Sequence, residues 1–223
     1  MLSEAVQDYL KTVYKLQNGR EGENTVTTSL IAERMGVSAA SATNMVKKLA
    51  EMHLAEHTPY QGVTLTPTGE KMALEILRHH RLLELYLAEA LGYSWDEVHA
   101  EAERLEHAIS EDFEDRIDQL LGHPSTGAHG EPIPTKQGSI QKTNYRRLAD
   151  LDAGQTAVVR QVSDHSSEML RYIGQIGIEL GLRLKVEEKA PFDGPMRLHL
   201  KDETEHHLGI EVARHIYVDS VQD

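Results

Sequence analysis

From residue 4 to 17 the apolar positions Ala5, Tyr9, Val13 and Leu16, joined by Thr12, recur at three- and four-residue spacing and predict a first helix. The polar, Gly-containing stretch NGREGENT ends it. The next segment, TTSLIAERMGVSAASATNMVKKLAEMHLAE, divides into a short helix around Ser29–Met35 and a longer one around Ala39–Glu51, joined at Gly36-Val37-Ser38. Ala32 permits close helix approach, Gly36 supplies a left-handed turn residue, Val37 fills the core and Ser38 caps the following helix. The stretch LAEHTPYQGVTLTPTGEKM then reads as strand, a turn containing Gly62, strand, and a helix start near Thr66–Thr68. Two helices followed by a hairpin make a winged helix-turn-helix.

Residues 69–91 predict a long helix carrying Leu74, Leu77, Leu82, Leu85 and Leu91. A further helix, capped by Ser94 or Asp96, is expected to run to Gly122, with Val98, Ala102, Leu105, Ile109 and Phe113 on its packing face. Two amphipathic helices do not bury themselves alone, so they are expected to pack on the winged helix and on a second subunit. The Gly-, Pro-, Ser- and Thr-rich HPSTGAHGEPIPTKQGSIQKTN reads as a linker. Beyond it, TAVVRQVSD, LRLKVEEK, MRLHLKD and HIYVD alternate as strands around a short helix at SSEMLRYIGQIG, which fits a small β-barrel. The fold class is mainly α with small β, divided into a winged helix (1–74), a helical domain (75–122), a linker (123–148) and a small β-barrel (149–223).

Charge changes this picture. The 223-residue chain carries a net −13, which argues against a generic nucleic-acid binder, but the excess is uneven. Residues 1–74 hold 7 basic and 8 acidic side chains, and residues 122–223 hold 12 and 15, whereas residues 75–121 hold 4 against 13. So much like charge in one helical region is costly unless a cation relieves it. In that region VHAEAERLEH places His99, Glu103, Glu106 and His107 at offsets 0, 4, 7 and 8, a stripe about 100° wide on an uninterrupted helix. Cysteine is absent, so a metal site has to be built from imidazole and carboxylate, ligands that suit Mn²⁺ and Fe²⁺ as well as Zn²⁺ and Co²⁺. Glu103, Glu106 and His107 can reach one ion, with Asp8 of the first helix as the fourth ligand; His80, Glu84 and His99 make a second set. The remaining histidines, His129, His206 and His207 among them, read as solvated.

The exposed side of the second helix of the helix-turn-helix offers Ser38, Ala40, Ser41, Thr43, Asn44, Lys47 and Lys48, which are small, hydrogen-bonding or basic as a helix in a major groove requires. A phosphate-binding Gly-rich loop, a nucleophile elbow and a zinc-protease helix are all missing, so the chain reads as a regulator rather than an enzyme. A carboxylate-bridged di-metal enzyme would need four long donor-bearing helices, and only two are long here. A winged-helix sensor of an organic ligand is the other alternative. The N-terminus lacks the layout of a signal peptide and no stretch is apolar enough for a membrane span, so the expected location is the cytoplasm, with no membrane partner.

The segments DYLKTVYKL, IAERMGVSAASATNMVKKL, GVTLTPTGE, HRLLE, VHAEAERLEH and LADLDAGQTAVVRQVSD…LGLRLKV resemble the diphtheria toxin repressor family of metal-dependent transcription regulators, over essentially the whole chain. The resemblance implies a winged helix-turn-helix, a helical dimerisation and metal domain and an SH3-like, FeoA-type third domain (149–223), in a homodimer that binds a palindromic double-stranded operator and represses metal-uptake genes without an organic cofactor. It maps a primary metal site onto Asp8, Glu103, Glu106 and His107, and an ancillary one onto His80, Glu84 and His99. Iron-sensing members carry Met at the position of Asp8 and Cys at that of Glu103. Hard carboxylates there favour Mn²⁺ over Fe²⁺, while Zn²⁺, Co²⁺ and Cd²⁺ remain able to occupy such sites in vitro. The short manganese regulators have Glu where this chain has Lys11, a side chain that cannot ligate an ion. For a third-domain ligand the nominations are Glu168 or His165.

Overall fold

A computed structural model describes residues 2–19, 25–58, 61–163, 166–200 and 205–221. It forms two compact units, one of residues 1–80, 105–114 and 133–141, the other of residues 81–104, 115–132 and 142–223.

In the first unit, α1 (Glu4–Asn18) buries Val6, Tyr9, Leu10, Val13 and Tyr14. At about 1.5–3 kcal/mol for each large apolar side chain, that face is what holds the helix in the core. The helix-turn-helix follows as α2 (Thr28–Met35) and α3 (Ala39–Glu51). Thr27 caps α2 by accepting from Leu30 N, and Ser38 caps α3 by accepting from Ser41 N. Gly36 takes φ +63° between them, and its N–H and that of Val37 satisfy the last carbonyls of α2. Val37 departs from expectation: the tight turn carries its side chain outward, and it is 37% exposed. Strands β1 (Ala55–Thr58) and β2 (Gly62–Leu65) form the wing, and Val26 adds a third edge by exchanging both backbone hydrogen bonds with Val63.

Helix α4 (Pro67–Leu91) starts on a cap in which Thr66 Oγ1 accepts from Gly69 N. The helix expected to run on to Gly122 is instead two: α5 (Val98–Leu105) and α6 (Glu111–Leu120). Ser110 explains the break. Its Oγ accepts from Phe113 N and its carbonyl from Glu114 N, so a new helix starts there with Glu111, Asp112 and Glu114 in its first turn. As a result Phe113, assigned to the packing face, is 42% exposed.

In the second unit, a six-stranded antiparallel sheet runs in the order β3-β8-β4-β5-β6-β7. Its strands are β3 (Arg146–Arg147), β4 (Thr156–Val162), β5 (Arg183–Lys189), β6 (Met196–Leu200), β7 (Glu205–Leu208) and β8 (Ile216–Val221). Period-two burial is clearest on β6, where Met196, Leu198 and Leu200 point inward. Helix α7 (Ser167–Gln175) packs Leu170 and Ile173 into the same core, and α8 (Ile210–Ala213) adds Ala213. The two-residue β3 and the short β7 escape a reading by periodicity because neither is long enough to show one. The segment expected to be a free linker is packed within each unit: Gly127, His129, Gly130 and Glu131 are buried in the second, Ile133 and Pro134 in the first.

Candidate metal centre

Asp8, on the second turn of α1, is brought to the turn that follows α5. Ligand atoms of Asp8, Glu106 and His107 lie within 4.8 Å of one another. His107 Nε2 sits 3.0 Å from Asp8 Oδ1 and 3.5 Å from Glu106 Oε1, while its Nδ1 is fixed 2.9 Å from Gln7 Oε1. Fixing Nδ1 this way leaves Nε2 aimed at the two carboxylates, the arrangement in which a neighbour on one ring nitrogen orients the other for an ion. Glu106 and His107 leave the helical path at Leu105, so the stripe geometry of an unbroken helix does not place them. The turn does.

Glu106 is fully buried and multiply held. His80 Nδ1 lies 2.6 Å from its Oε2, and the Lys11 ammonium forms a salt bridge with its Oε1. Burial alone would raise the Glu106 carboxyl. The His80 hydrogen bond, the charge on His80 and the Lys11 ammonium outweigh burial and hold it below the ordinary carboxylate range. A second network braces this turn from behind. Arg78 Nε donates to Glu114 Oε1 at 2.5 Å, Arg78 Nη1 donates to Pro134 O at 3.0 Å, and His79 Nε2 lies 3.2 Å from Glu114 Oε2. His79 Nδ1 faces the Glu106 carbonyl at 3.4 Å.

The donor chemistry fits a divalent ion. Two carboxylates and one imidazole are the hard and borderline ligands that Mn²⁺ and Fe²⁺ accept. Glu103, expected on the same ion as Glu106 and His107, lies on α5 in the second unit, where its Oε1 is 3.7 Å from His99 Nε2. Of the ancillary set, Glu84 and His99 meet in the second unit, with His99 Nδ1 2.9 Å from Glu84 Oε1. In the first unit, His80 holds Glu106.

His129, read as solvated, is 0% exposed. It stacks on Trp95 at 5.6 Å, its Nε2 bonds the Trp95 carbonyl at 2.9 Å, and its Nδ1 lies 3.8 Å from Glu84 Oε2. Burial would lower the His129 pKa; the negative charge of Glu84 and Glu131 and the Trp95 carbonyl overcome this and lift it to about 9. No periodic pattern surrounds His129, so the sequence offered no signal beyond the residue itself. Glu168 is exposed in the first turn of α7, and His165 lies outside the described residues.

On α3 the exposed side chains include Ala40, Ser41, Asn44, Lys47 and Lys48. Ser38 and Thr43 are partly committed elsewhere: Ser38 caps the helix and Thr43 Oγ1 donates to Ala39 O at 2.8 Å. Asn44, Lys47 and Lys48 at spacings of three and four form one outward strip of amide and ammonium groups.

Three family models match consecutive parts of the chain. They describe an iron-dependent repressor N-terminal DNA-binding domain over residues 1–63, an iron-dependent repressor metal-binding and dimerisation domain over 66–135, and an FeoA domain over 146–220. The iron-dependent repressor IdeR of Mycobacterium tuberculosis is 32% identical over 198 residues, 83% of this chain and 85% of that protein. A solved manganese-dependent transcriptional repressor in complex with manganese matches with a TM-score of 0.90 and 41% identity, over 97% of this chain and 100% of that one. The manganese regulator SloR matches with a TM-score of 0.78 and 32% identity, over 97% and 98%.

Proposed function

This chain belongs to the iron-dependent repressor family of metal-dependent, DNA-binding transcriptional regulators, and we propose that Mn²⁺ is the ion that activates it, with Fe²⁺ the closest competitor. The observation that carries this reading is the cluster of Asp8, Glu106 and His107, all oxygen and nitrogen donors where softer sulfur ligands would favour Fe²⁺. Glu84 and His99 would supply the ancillary set. The activated protein is a homodimer that represses metal-uptake genes from a palindromic operator. The outward Phe113 and Leu120, seven residues apart on α6 and exposed by 42% and 67%, support a second copy as the partner of that helix.

A bound divalent ion would supply a positive centre shared by Asp8, Glu106 and His107. The work on DNA is done by the chain. Asp8 lies on α1, whose apolar face packs with α2, α3 and the wing in one core, so fixing Asp8 against the 106–107 turn fixes the recognition helix with it. Without the ion that shared tie is missing, and α1, held to the turn by the Lys11–Glu106 pair, more often populates arrangements that do not bind. Half-sites recur about 34 Å apart along a duplex, so a small swing of α3 decides whether both copies dock. Asn44 reads base edges, as an amide pairs bidentately with adenine, while Lys47 and Lys48 contact phosphates.

The test is operator binding against free Mn²⁺, Fe²⁺ and Zn²⁺, for wild type and Asp8→Ala, alongside sedimentation. Wild type should bind at the lowest free concentration of Mn²⁺, and Asp8→Ala should remain dimeric and bind weakly even at saturating Mn²⁺. Metal-independent operator binding would instead favour a sensor of another ligand. Loss of the dimer in Asp8→Ala would mean that metal acts on assembly.

A further inference from the structure

Lys11 is an unusual residue to find at the edge of a cation site. It lies three residues after Asp8 on α1, hence on the same face, and only 5% of it is exposed. Its Nζ pairs with Glu106 Oε1, the same oxygen that His107 Nε2 approaches to 3.5 Å, while His80 takes the opposite oxygen. The Asp8–Glu106–His107 group therefore already contains a fixed positive charge, supplied by the chain and buried with the ligands.

We propose that Lys11 is a built-in cation of this cluster: it neutralises Glu106 and weakens the affinity for a divalent ion. The inference rests on the reading of Asp8, Glu106 and His107 as a metal site. Two physical consequences follow. In the metal-free protein a buried Glu106 held by His80 alone would cost folding free energy, and Lys11 offsets that cost, so the chain folds before metal arrives. In the metal-bound protein the ammonium and the ion compete for one carboxylate oxygen and repel each other across a poorly screened site, so the ion is held less tightly than its ligands alone would hold it. A sensor gains from this arrangement: it stays folded when metal is scarce, and its affinity is set low enough for the ion to be released.

The experiment is calorimetric Mn²⁺ titration and thermal melting, with and without Mn²⁺, of wild type, Lys11→Gln, Lys11→Arg and Asp8→Ala. The binding event to follow is the one that Asp8→Ala removes. Lys11→Gln should bind Mn²⁺ at least about tenfold more tightly in that event, melt lower in EDTA, and show a larger rise in Tm on saturation than wild type. Lys11→Arg keeps the charge and should stay within about threefold of wild type. A Lys11→Gln protein that is unfolded in EDTA and folds on adding Mn²⁺ also supports the proposal. Affinity equal to or weaker than wild type, an equal or smaller Tm rise, or an unfolded variant that Mn²⁺ does not rescue overturns it. If wild type and Asp8→Ala take up Mn²⁺ alike, it is the metal-site reading itself that fails, whatever Lys11→Gln does.

Discussion

Replacing Glu114 by Gln removes the charge at the centre of the brace behind the 106–107 turn. Arg78 and Glu114 are almost entirely enclosed, with side chains 9% and 5% exposed, so water screens their attraction little. Burial alone would raise the Glu114 carboxyl, but hydrogen bonds from His79 and Arg78 and the charge on both bring it from 4.5 to about 2. At about 1.4 kcal/mol per tenfold change in proton affinity, that difference corresponds to roughly 3 kcal/mol of folding free energy. Breaking one side of a buried ion pair costs about 3–5 kcal/mol, which agrees. The sign is fixed by the lowered value: the stabilisation is complete above the ordinary carboxylate value of 4.5 and is lost as pH falls toward about 2. Urea unfolding followed by circular dichroism, in EDTA between about pH 3 and 7, should show Glu114→Gln about 3 kcal/mol less stable at neutral pH, with the gap constant down to about pH 4.5 and closing below it. A gap of the same size at both ends of that range, or none at neutral pH, would refute the assignment of Glu114 as a charged brace.

The remaining predictions concern DNA, metal choice and packing. Lys47→Ala with Lys48→Ala should weaken binding on every sequence and reduce the slope of log affinity against log salt by about 0.9 for each phosphate left without its ammonium, whereas Asn44→Ala should change which bases are preferred. An equal loss on all sequences for Asn44→Ala would remove it as a base reader. Asp8→Met should shift activation from Mn²⁺ toward Fe²⁺ in the operator titration, and an unchanged Mn²⁺ response would place the sensing ion elsewhere. A Cβ at Gly69 would stand 1.9 Å from the Leu54 carbonyl oxygen, so Gly69→Ala should force apart the wing and the start of α4 and cost about 1–3 kcal/mol in the same urea assay. A variant as stable as wild type would show that the wing yields freely.

Much of the DNA-binding half was legible because its signals are local. The Gly36 turn, the Ser38 cap and the period of the apolar residues act over a few positions, and all three appear where the pattern puts them. Residue chemistry likewise marked Asp8, Glu106 and His107 as donors, since an acidic, cysteine-free stretch leaves few ways to hold a cation. Where those donors point was a different matter. A helix end depends on a contest between continuing the 3.6-residue repeat and starting a new cap at Ser110, and a cap worth about 1 kcal/mol is a contribution that period-counting does not register. That one break turns Glu106 and His107 toward α1, leaves Glu103 beside His99, and frees Phe113 to the surface. His129 was misjudged for a related reason. A Gly- and Pro-rich segment has no periodicity to reveal which side faces inward, and only the packing of Trp95 and Glu84 around the imidazole buries it and charges it. Lys11 shows the limit most sharply: the chain alone says that a cation follows Asp8 by one turn, but its partner, Glu106, is 95 residues away and is brought to it only by the fold.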